Sequence, residues 1–408
     1  MTGNTPPAND TSDAPPANGT SDAPPANGTS DETRSDATRR TFEGIDWERV
    51  DAERGLAITR WAAAEALALV GLVALLGYDA LVVADGEPTV DVPGVLTWDV
   101  TGVQWLFALV LVVGVARVGR LLTRRPRMAA RYWRQFRRNR AAVASLWFLL
   151  AVFAVGLVGP LVWKNPNELL DFGRAYRKPV VAGGSWTYPL GTDAQGRPLW
   201  NLVVYGMRVS MVVGVTATFI AVTLGTVVGS VAAHFGGYVD EVLMRYVDLQ
   251  QTFPVFVLLL FALYLYGPSL LLVVVLYGAF GWEGIGRLVR SEALQRGEAG
   301  YVDAAAAAGA SRWWVVRHHV IPNVSGTVIT AATLAVPTFV LGEATLAFLG
   351  FTDPDVFSWG RTIAAGRGDL ATAWWVSTVP GVFLFLTVMA FFFVGDALND
   401  AMDPRRER

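Results

Sequence analysis

Long apolar runs alternate with short charged blocks along this chain. Residues 61–83 form the first run, with Glu65 and Asp79 near its ends, and 101–118 form the second. Ala141–Trp163 and Val209–Val239 carry no charge. Leu249–Trp282 is also uncharged but too long for one helix. Gly267-Pro268 breaks it into a hairpin, because proline removes a backbone donor and glycine permits the turn. Val324–Thr352 is interrupted only by Glu343, and Leu370–Gly395 closes the series. A bilayer-spanning helix needs about 20 such residues. The pattern therefore predicts eight spanning helices, two leading and six following.

Composition agrees with the pattern. Of 408 residues, 53% are hydrophobic and 17% charged, and the mean hydropathy is +0.39. A soluble domain carries about 25% charged residues, so a membrane protein is the class implied. The chain has no cysteine, which excludes disulfides, thiolate nucleophiles and Cys-ligated metal. No metal site is expected. The net charge of -2 says less than its distribution. Arg117–Arg140 holds ten arginines and no acid. Short basic loops stay in the cytoplasm, so this block is assigned inside. Residues 164–207 and 353–373 then lie outside. Residues 233–251, 283–323 and the Arg405–Arg408 tail lie inside, as does the N-terminus.

Residues 1–54 read differently. TSDAPPANG at 11–19 repeats at 20–28, and no helical or strand period is present. Such a segment buries too little surface to offset its ordering entropy, which predicts a disordered polar tail. It lacks the basic start and apolar stretch of a signal peptide. Asn9, Asn18 and Asn27 each begin an N-x-T triplet, but a cytoplasmic N-terminus argues against glycosylation. The expected organisation is this tail, an extra helix pair with the start of a basic linker over 55–127, and a six-helix core over 128–408.

The richest polar segment is 283–323. Ala304–Ala308 is strong helix-forming sequence, and Gly309 suits a left-handed helix end. Trp313, Trp314 and Val316 give apolar surface to a second helix, and Pro322 precedes the next span. A helix–glycine–helix elbow of this kind fits a partner's groove. An amphipathic helix lying at the interface with no partner fits the spacing equally well.

This segment resembles the EAA loop of ABC importer permeases. Asp303, Ala304, Ala305, Gly309 and Pro322 fall at that loop's spacing, with Asp303 in place of Glu and Ile321 in place of Leu. Other blocks narrow the resemblance to the dipeptide/oligopeptide/nickel permeases, C-type subunit. Gly191, Thr192, Asp193, Gly196 and Arg197, followed by Arg208 and Ser210, resemble their LGTDxxGRD…YGxRxS signature, with Pro198 replacing Asp. Asp240, Arg245 and Asp248 sit in a second block ending at Phe253-Pro254. Ser358-Trp359-Gly360 and Gly366-Arg367 resemble a third, and Asp396, Asp403 and Pro404 a C-terminal one. The ordered match runs from about residue 128 to the C-terminus.

The resemblance implies an all-α polytopic membrane protein with a six-helix ABC importer permease core, preceded here by two extra helices and the tail. It implies a second homologous permease, two ATPase subunits, an external substrate-binding protein and the lipid bilayer as partners, with no nucleic acid. It places the chain in the cell membrane of a prokaryote, with peptides, nickel or a related small solute as cargo. No cofactor is expected on this chain. A phosphate-binding loop needs Gly-x-x-x-x-Gly-Lys-Ser/Thr, yet Lys164 precedes Asn and Lys178 precedes Pro, so ATP is assigned to the partners. A transport subunit, not an enzyme, is expected.

Single residues leave alternatives open. Glu343 in a span lines a path, pairs with the partner permease, or orders the bundle through an internal hydrogen bond. Asp193 and Arg197 form a structural turn or touch the binding protein. Ser230 and His234 share a helix face, which a hydrolase would need, but no third orienting group accompanies them. Gly214, Gly225, Gly229 and Ala232 permit close helix packing. An ion-driven transporter is the remaining rival and would place more charge at mid-membrane than Glu343 alone.

Overall fold

In a computed structural model that describes residues 47–83, 89–92, 96–98, 100–124, 126–297, 309 and 311–402, the apolar runs fold as helices. The chain divides into Met1–Glu53 and Arg54–Arg408, and the first unit is described only from residue 47, where it is helical. The proposed tail thus lies mostly outside the described residues, while 47–54 are already part of helix α1, Trp47–Val82. Then come α2, Gly102–Arg124, α3, Pro126–Phe136, and α4, Arg140–Val162. The core continues with α5, Leu199–Phe235, α6, Gly237–Thr252, α7, Val255–Tyr266, α8, Leu270–Phe280, and α9, Glu283–Gly297. After the elbow helices α10, Arg312–Val315, and α11, Ile321–Asn323, come α12, Ser325–Phe348, α13, Trp359–Gly366, α14, Leu370–Ala373, and α15, Trp375–Met402. The protein is an all-α polytopic membrane protein, apart from one antiparallel pair of three-residue strands, Val90–Val92 and Leu96–Trp98.

Among the described residues, seven helices are long and apolar enough to cross a membrane, or eight if the pair α6 and α7, bent by 70°, is one span. Three boundaries differ from the sequence expectation. The Val209–Val239 run begins ten residues earlier, at Leu199, because Arg208 faces a polar cavity and does not end the helix. Residues 237–252, expected as an interior loop, form α6, and Pro254, which has no N–H to give, separates it from α7. The span expected to stop at Trp282 runs on as Leu270–Gln295. Its continuation is held by Trp282, Ile285, Val289 and Ala293, a buried stripe at helical spacing.

Helix α5 is the axis against which the others pack. Its glycines make close approach possible. A Cβ at Gly225 would lie 2.9 Å from Ile285, and one at Gly229 would lie 2.4 Å from the Gly286 carbonyl, so α9 rests almost backbone to backbone on α5. A Cβ at Gly214 would lie 2.7 Å from Val340 of α12. In a bilayer the solvent no longer drives such contacts, and small residues supply them through van der Waals packing. Leu202, Val203 and Met207 of α5 join Leu149 of α4 and Phe391 and Val394 of α15 in one buried cluster.

The leading helices form a hairpin stapled at both ends. Glu65 of α1 receives Arg120 of α2, with Arg117 at 3.8 Å. The ring of Trp61 lies where a Cβ on Gly119 would come within 2.4 Å. At the other end Asp79 accepts Trp105 Nε1 at 2.9 Å and the Thr89 hydroxyl at 2.5 Å. Helix α2 then docks on the core, with Val103 and Phe107 buried among Val209, Val212 and Val213 of α5 and Val274 of α8.

Gly229→Val inserts a branched side chain where even a Cβ collides with backbone. The expected loss is about 1–3 kcal/mol, the usual range for overpacking. It is read as a lowered unfolding midpoint in detergent. Gly284→Ala, at a glycine with open space around it, serves as the unchanged control.

Candidate functional site

Two regions of the molecule gather polar residues, one at each end of the bundle. At the end predicted to face inward, the elbow begins beyond α9. Asp303, Ala304 and Ala305 lie outside the described residues. Gly309 has φ of +86°, a left-handed conformation in which glycine avoids a side-chain clash. Among the described residues, chain neighbours aside, no atom lies within 4 Å of where its Cβ would be. Helix α10 continues through a π turn, Val316–Val320, into α11, which contains Pro322. The extra residue of a π turn rotates the chain beyond it, so two faces emerge. Val315, Val316, Val320 and Val324 turn inward and are buried. Trp313 and Trp314 remain exposed, and Trp314 stacks on His318 at 4.6 Å and meets His319 edge-on at 5.2 Å. The result is a stiff aromatic knob fixed on a valine base.

Beside it, ion pairs tie α6 to α9. Arg290 grips both carboxylate oxygens of Asp240, and Arg287 pairs with Asp248. Arg245 is exposed and pairs within its own helix with Glu241 at 3.7 Å. Asp396 is exposed on α15, while Asp403 and Pro404 lie outside the described residues.

At the opposite end the signature block folds into a closed turn. Asp193 is buried and accepts four donors. Gln195 N and Arg197 N bind Oδ1 at 2.9 and 2.8 Å, and Arg197 Nε and Nη2 bind Oδ2 at 2.7 and 2.6 Å. The Thr192 hydroxyl donates to the Arg174 carbonyl at 2.5 Å and accepts from Arg177 N at 2.8 Å. Gly191 and Gly196 have positive φ, and side chains there would strike Arg177 O at 2.7 Å and Asp171 O at 1.8 Å. Trp375 Nε1 reaches the Thr192 carbonyl at 3.0 Å, which seals the turn onto α15. Tyr176 donates to Asp369 at 2.8 Å, and that carboxylate raises the phenol above its ordinary pKa.

Trp359 and Gly360 lock the same end from another side. Trp359 is fully buried and donates to Val203 O at 3.0 Å, with its ring across Gly206. A Cβ on Gly360 would lie 2.0 Å from Ala344 O. Arg361 binds the carbonyls of Pro354 and Val356 and covers Phe357 at 5.4 Å. Burial, with Arg197 close by, lowers its pKa. Glu343 is completely buried with Ser358 beside it, so it faces neither lipid nor solvent. Ser230 is also buried and its hydroxyl has no hydrogen-bond partner among the described residues, so Ser230 and His234 are not hydrogen-bonded as a catalytic pair.

A cavity of about 870 Å³ lies among the end of α4, the first part of α5, the starts of α2 and α8 and the 353–357 loop. Of the residues in the sequence motifs, Tyr205 and Arg208 of the YGxRxS block line it. Lys164, Glu168, Asp353 and Asp355 join them, and no motif had marked these as site residues. Lys164 and Asp355 stand 191 positions apart, so no local motif marks them. The one available signal was Asp353-Pro-Asp355 in a loop directly after an apolar span.

Comparison with known proteins adds an independent line of support. The family described as binding-protein-dependent transport system inner membrane component matches residues 225–408, and the N-terminal TM domain of oligopeptide transport permease C matches residues 128–179. The oligopeptide transport system permease protein OppC of Haemophilus influenzae is 35% identical over 273 residues, covering 67% of this chain and 87% of that protein. The dipeptide transport system permease protein DppC of Bacillus subtilis is 32% identical over 278 residues, covering 68% and 85%. A solved chain from the inward-facing MetNI methionine ABC transporter shares 19% identity at a TM-score of 0.44, over 50% of this chain and 99% of that one. Both family matches begin at or after residue 128, so α1 and α2 lie outside them.

Arg197→Met leaves the Asp193 carboxylate buried without its cation. Breaking a buried pair from one side costs about 3–5 kcal/mol. The expected result is a lowered unfolding midpoint and faster protease cleavage within 164–198, measured on the purified protein.

Proposed function

This chain belongs to the oligopeptide/dipeptide permease C family of binding-protein-dependent ABC importers, and from that premise we propose that it forms half of a translocation pathway for short peptides. The relatives' names favour peptides over nickel, the other cargo weighed. A second, homologous permease would supply the other half. Two ATPase subunits would bind from the cytoplasm, and an external binding protein would deliver substrate at the end that carries the 164–198 turn. Both termini would lie in the cytoplasm, the side assigned to the arginine block 117–140.

The observation that carries the coupling reading is the knob of Trp313 and Trp314 on its buried valine base. Docking onto a moving partner needs exposed apolar anchors on a support that does not yield. Closure of the ATPases pushes the knob. Helix α12 follows it almost directly, since only Val324 separates α11 from α12. Helix α9 lies on the other side of the elbow and is clamped to α5 through Gly225 and Gly229 and to α6 through Asp240–Arg290. A push is thereby delivered to the axis of the bundle, not absorbed locally. ATP is bound and cleaved by the partners. This chain performs no covalent chemistry and contributes position, stiffness and a path.

The test is affinity purification of the full chain from native membranes, wild type against Gly309→Asp. The substitution places a side chain at a left-handed position on the docking surface. The expected outcome is that an ATPase subunit accompanies the wild type and falls several-fold in the variant, while the membrane partner stays. Absence of any ATPase from the intact wild-type preparation in mild detergent would overturn the assignment.

A further inference from the structure

Helix α3 joins two spans without crossing the membrane itself. Before it, the crossing part of α2 ends at Arg120, and after it α4 crosses from Arg140. One residue connects α3 to α2 and three connect it to α4. Both links are short, so this helix of about 16 Å is held at the level where the two spans leave the bilayer. Its last turn is fixed on the bundle. Phe136 is buried in the cluster that includes Ala142 of α4 and Ala397 of α15, and Gln135 Nε2 donates to Asp400 O at 3.2 Å.

The faces of α3 divide cleanly. Ala129, Tyr132 and Phe136 recur at helical spacing on the side toward the core, the first two half-buried and the last buried. Arg127, Arg131 and Arg134 recur on the opposite side. Met128 and Trp133 stand on the two flanks between these faces, 41% and 49% exposed. The indole is held in place, stacked on Phe136 at 5.8 Å with 14° between the planes. Apolar flanks beside a row of cations are the composition of a helix that lies in a membrane interface.

The charge is of one sign. Of the ten arginines in Arg117–Arg140, Arg117 and Arg120 are taken by Glu65 of the leading hairpin. Arg127, Arg134, Arg137 and Arg138 are exposed, and no ion pair among the described residues holds them. The segment contains no acid. Guanidinium groups match phosphate in bidentate fashion and are more weakly hydrated than ammonium, which suits them to a headgroup layer.

We propose that α3 and the residues just after it form a binding surface for anionic phospholipid. The headgroup phosphates rest on Arg127, Arg134, Arg137 and Arg138, and the upper acyl chains pack on Met128 and Trp133. The apolar flanks favour a membrane over an acidic protein patch, which would meet the arginines and leave the indole in water. The surface is independent of the solute that the chain carries. Because Phe136 packs with both α4 and α15, a lipid that holds α3 also steadies the start of one core helix and the end of another.

The test uses the full-length chain purified with its native partners in neutral detergent. Phosphatidylglycerol and phosphatidylcholine are titrated in and the bound lipids counted by native mass spectrometry. Four forms are compared: wild type, Arg134→Gln/Arg138→Gln, the charge-keeping Arg134→Lys/Arg138→Lys, and Arg177→Gln/Lys178→Gln, which removes equal charge from exposed positions at the other end. Wild type is expected to prefer phosphatidylglycerol by roughly tenfold or more. The preference should fade as salt rises from about 0.15 to 1 M, where the screening length drops from roughly 8 to 3 Å. The glutamine pair should weaken phosphatidylglycerol binding roughly 30-fold, about fivefold for each arginine removed. Its phosphatidylcholine binding should not change, which also shows that it is folded. Arg127→Gln/Arg137→Gln carries the same expectation and replaces the first pair if that pair does not fold. The lysine pair and the distant control should keep the preference. Equal affinity of the wild type for the two lipids, or equal loss in the glutamine pair and the distant control, would overturn the surface. Displacement of the lipid by an equal concentration of inorganic phosphate would overturn it as well. So would a glutamine pair that keeps its lipid preference and loses a copurifying ATPase subunit, since the arginines would then serve a protein partner.

Discussion

How closely a second helix can approach α5 determines most of this structure. Within hydrocarbon, association between helices draws on packing, not on expulsion of water, and packing falls off steeply with distance. At Gly225 and Gly229 the backbone of α9 comes to contact distance, and at Gly214 the side chain of Val340 fills the missing Cβ. These contacts let the 37-residue α5 serve as a common wall for α4, α8, α9 and α12. The polar ends are then arranged by what those four helices carry to their termini.

Both ends of the bundle use rigidity, but differently. The end that carries the Asp193 turn is closed by hydrogen bonds from indole nitrogens to carbonyls, Trp359 to Val203 and Trp375 to Thr192, and by a buried carboxylate whose donors all come from its own turn. Such bonds are short-ranged and directional, so they fix geometry. The end that carries the elbow is held by ion pairs between long side chains, Arg290 with Asp240 and Arg287 with Asp248, which clamp α9 to α6.

The sequence disclosed the helices better than their ends. Apolar runs announced every span because the bilayer demands them. The extension of α9 was legible in principle, since Ile285, Val289 and Ala293 repeat every fourth residue, but Arg287 and Arg290 between them masked the stripe. The start of α5 was hidden for a related reason. A charge normally ends a span, and nothing local says that Arg208 faces a cavity. The signature residues around Asp193 were visible as a block, yet their inward, self-contained hydrogen bonding emerges only when Thr192 meets Arg174 and Trp375. The cavity was not legible at all, because its charges come from distant segments and converge only through packing.

The stapled hairpin has a consequence for biogenesis. Glu65 near one end of α1 and Asp79 near the other are each satisfied by α2, through Arg120 and Trp105. Alone, α1 would carry two uncompensated carboxylates into the insertion machinery; with α2 it presents a neutralised pair. The two helices satisfy these carboxylates between themselves, and the surface on which Val209, Val212 and Val274 rest therefore belongs to a segment outside both family matches.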